Sequence, residues 1–217
     1  MPDLKQISEA ALSSFETLTT TYDLAKLAIE RRIPGDFVEC GVYGGSQCAA
    51  MAVALMHDRD RRRLADPAAD YQKRVHLFDC FCGLPEPGPK DIEFLQQGNM
   101  KGKASCSLEA VQDHMRRWGI DPFLLVYHPG LFKDTIPPIV STAALGSPLL
   151  RQIAILRIDA DLYESTIIPF RYLYRLVSRG GWVIVDDYAL KGCRDAVHEF
   201  MLGAGGPNFQ PMYWQKI

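Results

Sequence analysis

Five short runs of nearly unbroken apolar character dictate the architecture: DFVEC (36–40), VHLFD (75–79), FLLVYH (123–128), IAILRID (153–159) and GWVIVDD (181–187). A strand with one face in water alternates apolar and polar residues. A continuous apolar run needs burial on both faces, which a parallel sheet flanked by helices supplies. Helical spacing fills the intervals at 46–57, 107–118, 165–177 and 192–202. This repeated β-α order predicts an α/β fold with an open, doubly wound sheet.

Upstream, LKQISEAALSSFETL (4–18) and TYDLAKLAIERRI (21–33) read as two helices parted at the β-branched run Thr19 to Thr21. Residues 1–34 are therefore expected to form a helical leader, serving as a lid or as oligomer contacts, and 35–217 the core. Apolar faces on the leader would suit a homodimer or a higher homo-oligomer. The chain is one domain overall, because 217 residues bury a sizeable core without staples. Residues 57–74 and 137–152 read as insertions in the connections. Four arginines within 59–63 are interleaved with Asp58 and Asp60, the pattern of a solvated loop rather than of a phosphate site.

A net charge of −2, with 23% charged residues, gives no whole-molecule field for nucleic acid or an anionic membrane, so the expected partner is a small molecule. No apolar run approaches the ~20 residues that span a bilayer, and the N-terminus lacks the basic and apolar regions of a signal peptide. A cytoplasmic location follows as the expectation. The six cysteines (Cys40, Cys48, Cys80, Cys82, Cys106, Cys193) are then expected as thiols. CFC at 80–82 lacks the second pair that a zinc site would use.

Ligands of open α/β sheets bind at the carboxyl ends of the strands. There the chain places ECGVYGGS (39–46): Glu39, then Gly41, Gly44 and Gly45 before a helix that Ser46 would cap. Glycines let the backbone turn tightly and approach a ligand closely. This is not the GxGxxG fingerprint. Asp79 ends the second strand, where a carboxylate can accept ribose hydroxyls; with Glu39 and the glycine loop it suggests a nucleoside-containing cofactor. The other reading of Asp79 is a turn cap.

The fourth and fifth strands end in Asp159, Asp161, Asp186 and Asp187. Carboxylates converging on one sheet edge repel one another and lose hydration unless positive charge sits among them. An all-oxygen set favours a hard cation, Mg²⁺, Mn²⁺ or Ca²⁺, over zinc. A salt-bridge network with Arg157, Arg194 or Lys191 is the competing account. His128, in YHPG, reads as part of a turn rather than as a base.

GDFVECGVYGGS, DCFCGLPEP, GLFKDTIP, LRIDADLYEST, GGWVIVDDY, CRDAVHEF and the terminal YWQK, in that order across 35–216, resemble the macrocin O-methyltransferase (TylF-type) family. Its members are class I enzymes that use S-adenosylmethionine to methylate sugar hydroxyls of natural products. The resemblance implies a Rossmann-like, mostly parallel sheet with an antiparallel C-terminal strand and helices on both faces. It implies that Glu39, Gly41, Tyr43, Gly44 and Ser46 hold the methionine part of S-adenosylmethionine and Asp79 its ribose. It further implies that Asp159, Asp186 and Asp187 ligate a metal, and that Asp161 is the general base acting on a sugar or glycoside hydroxyl.

The chain departs from the family pattern DSFEGLP, with Cys80 and Cys82 where Ser and Glu are usual. It is also short between Phe200 and Tyr213 for a full penultimate strand. A catechol or phenol acceptor is an alternative. DAD at 159–161 also matches the DxD pattern of metal-dependent glycosyltransferases, although the glycine loop and Asp79 fit an adenosyl cofactor better; a non-catalytic binding module is a third class.

Overall fold

In the computed structural model, which describes residues 2–65, 73–98, 100–140, 150–203 and 213–217, the five apolar runs pair as parallel strands. They are β1 (Asp36–Cys40), β2 (Val75–Asp79), β3 (Leu125–Pro129), β4 (Ile153–Ile158) and β5 (Val177–Val185). A short β6 (Tyr213–Gln215) lies antiparallel on β5, and the sheet order is β3-β2-β1-β4-β5-β6. The chain starts at β1, moves outward through β2 and β3, then returns to β4 on the other side. The loops leaving β1 and β4 therefore diverge and open a crevice at their carboxyl ends.

Continuous apolar runs feed two cores because successive side chains point to opposite faces. Phe37, Leu77 and Ile155 enter one cluster with α2 (Phe15–Glu30), α3 (Ser46–Ala65) and α5 (Leu108–Arg117). Val38, Phe78 and Leu156 enter the other, with α6 (Phe132–Val140), α7 (Tyr163–Leu173) and α8 (Lys191–Gly203). Of two short helices, α1 (Leu4–Ser8) adds the fully buried Ile7 to the first cluster, and α4 (Ile92–Gln96) follows the loop after β2. Among the described residues no helix is long and apolar enough to cross a membrane.

Three expectations change. The break between the N-terminal helices lies between α1 and α2, not at Thr19 to Thr21, which are inside α2 with Thr21 buried. A β-branched residue costs a helix only a few tenths of a kcal/mol, whereas an N-cap contributes about 1 kcal/mol. Ser14 is that cap, accepting the Thr17 N–H at 3.1 Å. The arginine-rich stretch begins as helix, since α3 runs on to Ala65 with Arg61 paired to Asp58 at 2.8 Å and Arg59 paired to Asp121. Residues 137–140 close α6, so Pro137 and Pro138 sit inside a helix that ends two residues later. The remainder of both proposed insertions, 66–72 and 141–149, and the place of the penultimate strand, 204–212, lie outside the described residues.

Candidate active site

The glycine loop is shaped by contacts on both sides. Gly41 has φ +92°, and a Cβ built there would overlap the carbonyl oxygen of Asp159, so only glycine lets the exits of β1 and β4 touch. The Val42 and Tyr43 N–H groups donate to Asp79 Oδ2 at 2.6 and 3.2 Å, and the Phe81 N–H donates to Oδ1 at 2.7 Å. Asp79 thus caps its own turn and also ties the loop after β2 to the loop after β1. Ser46 is the first residue of α3, whose opening amides have no intrahelical partner and form an anion-friendly end. The N-terminal segment leans on this loop: Gly44 backs onto the Ala10 carbonyl, and Gln47 Nε2 donates to Ser13 Oγ at 2.7 Å.

At the other side, adjacency of β4 and β5 brings ligand atoms of Asp159, Asp186 and Asp187 within 4.8 Å of one another. Beneath them lies Arg157, fully buried one residue before the end of β4. Its Nε donates to Glu39 Oε1 at 3.0 Å, and its Nη2 donates to Asp159 Oδ2 and Asp186 Oδ1, each at 2.7 Å. Glu39, 1% exposed, also accepts the Cys48 thiol at 2.6 Å. Asp161 sits at φ +55°, and its N–H donates to Asp187 Oδ2 at 2.9 Å.

Of the two accounts of the aspartates, the salt-bridge network is present through Arg157, but Arg194 and Lys191 turn elsewhere, to the Ala189 carbonyl and Asp195. The Arg157 guanidinium pairs with three of the five carboxylates, Glu39, Asp159 and Asp186. Burial, reinforced by neighbouring acids, pushes Asp159 and Asp187 up to about 7 and Asp161 to about 6. Burial also lifts Glu39 to about 8 against the pull of Arg157. For Arg157 itself burial opposes the charge, and Asp159, Glu39 and Asp186 outweigh it, so the guanidinium is held protonated. The uncompensated remainder, all oxygen and partly exposed, suits a hard divalent cation.

Both sides open onto one cavity of 1310 Å³. Every site residue singled out in the sequence lines it except Gly44, whose carbonyl instead accepts from His114 Nδ1 at 2.9 Å, and Gly45, which packs against Val111 and Met115. Further wall comes from Leu131, Phe132 and Ile168, and from Lys101, Lys103 and Lys133. Glu164 lines it, whereas the Tyr163 hydroxyl turns to Glu199 at 2.6 Å.

Cys80 and Cys82, also in the wall, are disulfide-paired rather than free thiols: Phe81 at φ +53° folds the turn so that their Cα atoms stand 5.3 Å apart, within disulfide reach. Cys40, Cys48 and Cys193 are buried thiols, and Cys106 is a partly buried one.

His128 belongs to β3 rather than to a turn. It stacks on Phe78 at 4.1 Å and bonds His76 at 2.9 Å, outside the cavity lining. The reach of Arg157 was foreshadowed by one signal, a charge inside an otherwise apolar strand. Asp91, which accepts the Tyr163 N–H at 2.7 Å from the connection between β2 and α4, had none.

A sheet of this order, with a glycine turn after β1, an acid closing β2 and an antiparallel strand beside β5, defines the Rossmann-like class I methyltransferase fold. The solved O-methyltransferase NovP shares it, at TM-score 0.77 and 29% identity over 95% of this chain and 82% of that one. The family model of the macrocin-O-methyltransferases (TylF) matches residues 15–205, and the chain belongs to that family. Two curated relatives are similar. One is an 8-demethyl-8-(2,3-dimethoxy-alpha-L-rhamnosyl)-tetracenomycin-C 4'-O-methyltransferase from Streptomyces olivaceus, 37% identical over 77% of this chain. The other is a mycinamicin III 3''-O-methyltransferase from Micromonospora griseorubida, 34% identical over 80%. The chain spans 58% and 63% of the length of these two.

Proposed function

We propose that this chain is an S-adenosylmethionine-dependent, divalent-metal-assisted O-methyltransferase that methylates a hydroxyl of a sugar or glycosylated natural product. The observation that carries the reading is the shared cavity: the glycine loop and Asp79 open onto the same chamber as Asp159, Asp161, Asp186 and Asp187. Methyl donor and hydroxyl acceptor need to meet in one such space. The names of the curated relatives, one of which specifies the 4'-oxygen of a rhamnosyl tetracenomycin, support the acceptor class.

When bound, S-adenosylmethionine supplies the methyl group and a hard cation supplies Lewis-acid polarisation of the acceptor oxygen. Glu39, Gly41, Tyr43 and Ser46 are assigned to the methionine end, with Glu39 acting from beneath the loop and Gly44 shaping the loop from outside the cavity. Asp79, whose oxygens retain acceptor capacity beyond three backbone amides, is assigned to the ribose. Asp159, Asp186 and Asp187 hold the cation. Asp161 takes the acceptor proton on its carboxylate. The segment before α2, resting on Gly44 and Gln47, closes the cofactor end.

Thermal unfolding with and without ligands tests the cofactor. S-adenosylhomocysteine at about 100 times Kd should stabilise by about 2.7 kcal/mol, while NAD and nucleotide-sugars give no shift. A shift with nucleotide-sugars alone would refute the reading. Methyl transfer to a panel of glycosides, with phenols and catechols alongside, should vanish in EDTA and return with Mg²⁺. Asp161→Asn should lower kcat by roughly 10²- to 10⁴-fold with S-adenosylhomocysteine affinity nearly intact.

A further inference from the structure

α7 begins without a cap of its own, since Leu162 at the N-cap position has no side-chain acceptor. The acceptor comes from 72 residues away. Asp91, 2% exposed, takes the Tyr163 N–H on Oδ1 at 2.7 Å and the Gly88 N–H on Oδ2 at 2.8 Å. A carboxylate at a helix N-terminus satisfies an orphan amide and complements the helix dipole. The same carboxylate is wedged against the start of α8, where a Cβ on Gly192 would overlap Asp91 Oδ1. Two residues on, Glu93 Oε1 accepts the Lys191 N–H, at the first residue of α8, at 3.0 Å. On the outside, Lys90 stands 3.7 Å over the Tyr163 ring and 2.9 Å from Glu199 Oε2 on α8. Segment 88–93 therefore clasps the first turns of both helices and reaches α8 again at Glu199.

Those first turns terminate the two loops that carry the carboxylates. Only residues 159–162 separate β4 from α7, and only 186–190 separate β5 from α8. Connections so short transmit any shift of a helix start to the aspartates they hold. The Asp161 N–H bond to Asp187 Oδ2 joins the two loops at the cavity, and the clasp joins them at the helices.

Building on the metal-assisted reading above, we infer that Asp91, seconded by Glu93, is a positioning residue that sets the spacing of the Asp159/Asp161 and Asp186/Asp187 loops. Its own oxygens are engaged by backbone amides, so it acts through α7 and α8. It also makes the cavity wall after β2 and the carboxylate cage one mechanical unit.

Two variants of the full chain test this from opposite sides. Asp91→Asn replaces one acceptor oxygen by a donor; Gly192→Ala leaves the carboxylate unchanged but crowds it, at a position where alanine favours the helix. The probe is Mn²⁺ alone, followed by electron paramagnetic resonance, with calorimetric S-adenosylhomocysteine affinity alongside. Mn²⁺ affinity should fall roughly 10-fold or more, as for residues that orient metal ligands, while S-adenosylhomocysteine affinity stays within about 2-fold. Hydrogen exchange should quicken over 159–166 and 186–194 and stay unchanged over 36–47. Unaltered Mn²⁺ affinity and exchange in the folded variants would overturn the inference, as would loss of both ligands together. Where one variant fails to fold, the other decides. If the wild type binds no Mn²⁺, the cation reading falls, and exchange at the two loops alone supports or refutes the clasp.

Discussion

Arg157→Met is the sharpest perturbation of this site, because methionine keeps length and apolar bulk while removing the guanidinium that pairs with three of its acids. In the wild type that group satisfies Glu39, Asp159 and Asp186 from a position with no solvent exposure. Removing one partner of a buried ion pair costs about 3–5 kcal/mol, because the remaining charge is left unpaired in a poorly polarisable interior. For a domain of this size each kcal/mol moves Tm by about 2–4 °C, so the expected loss at pH 8 is about 6–20 °C.

The pH dependence fixes the cause. Glu39 and Asp159 already have folded-state values raised to about 8 and about 7, above those of the unfolded chain. Groups raised in this way destabilise the fold at high pH and stop doing so as pH falls and they bind protons. The Arg157→Met deficit should therefore shrink between pH 8 and pH 6. Arg157→Lys should be intermediate, since an ammonium keeps the charge but cannot span three carboxylates as a planar fork does. Thermal unfolding of the three proteins at both pH values measures this. An Arg157→Met deficit that is absent, or equal at the two pH values, would refute the electrostatic account.

Gly41→Ala should cost about 4 kcal/mol, the upper end of single-residue effects, because it combines a left-handed backbone with overlap on the Asp159 carbonyl; the urea midpoint reads it. His128 is held down to about 4 by burial first and His76 second. A depressed histidine stabilises above the unfolded value near 6.5, and that contribution disappears as pH falls toward 4, a loss of about 3 kcal/mol. His128→Gln should flatten the acid limb of Tm against pH relative to wild type, and parallel limbs would exclude this source.

The sequence alone determined where the strands lie, that the sheet is parallel and buried on both faces, and which strand ends carry the glycines and carboxylates. These are consequences of period and composition within a few residues, so they are written locally. Asp79 shows the limit: its position at a strand end was legible, yet its three amide partners come partly from a loop 36 and 37 residues earlier. The break before α2 was misplaced because an N-cap outweighs three β-branched residues, a competition of small energies that only the folded segment settles. Tertiary structure alone decided that Arg157 serves three acids on three strand ends, that His76 and His128 pair away from the cavity, and that α7 takes its cap from Asp91. Each of these is a long-range pairing. Its partner is chosen by the order of strands in the sheet, and no local periodicity encodes that order.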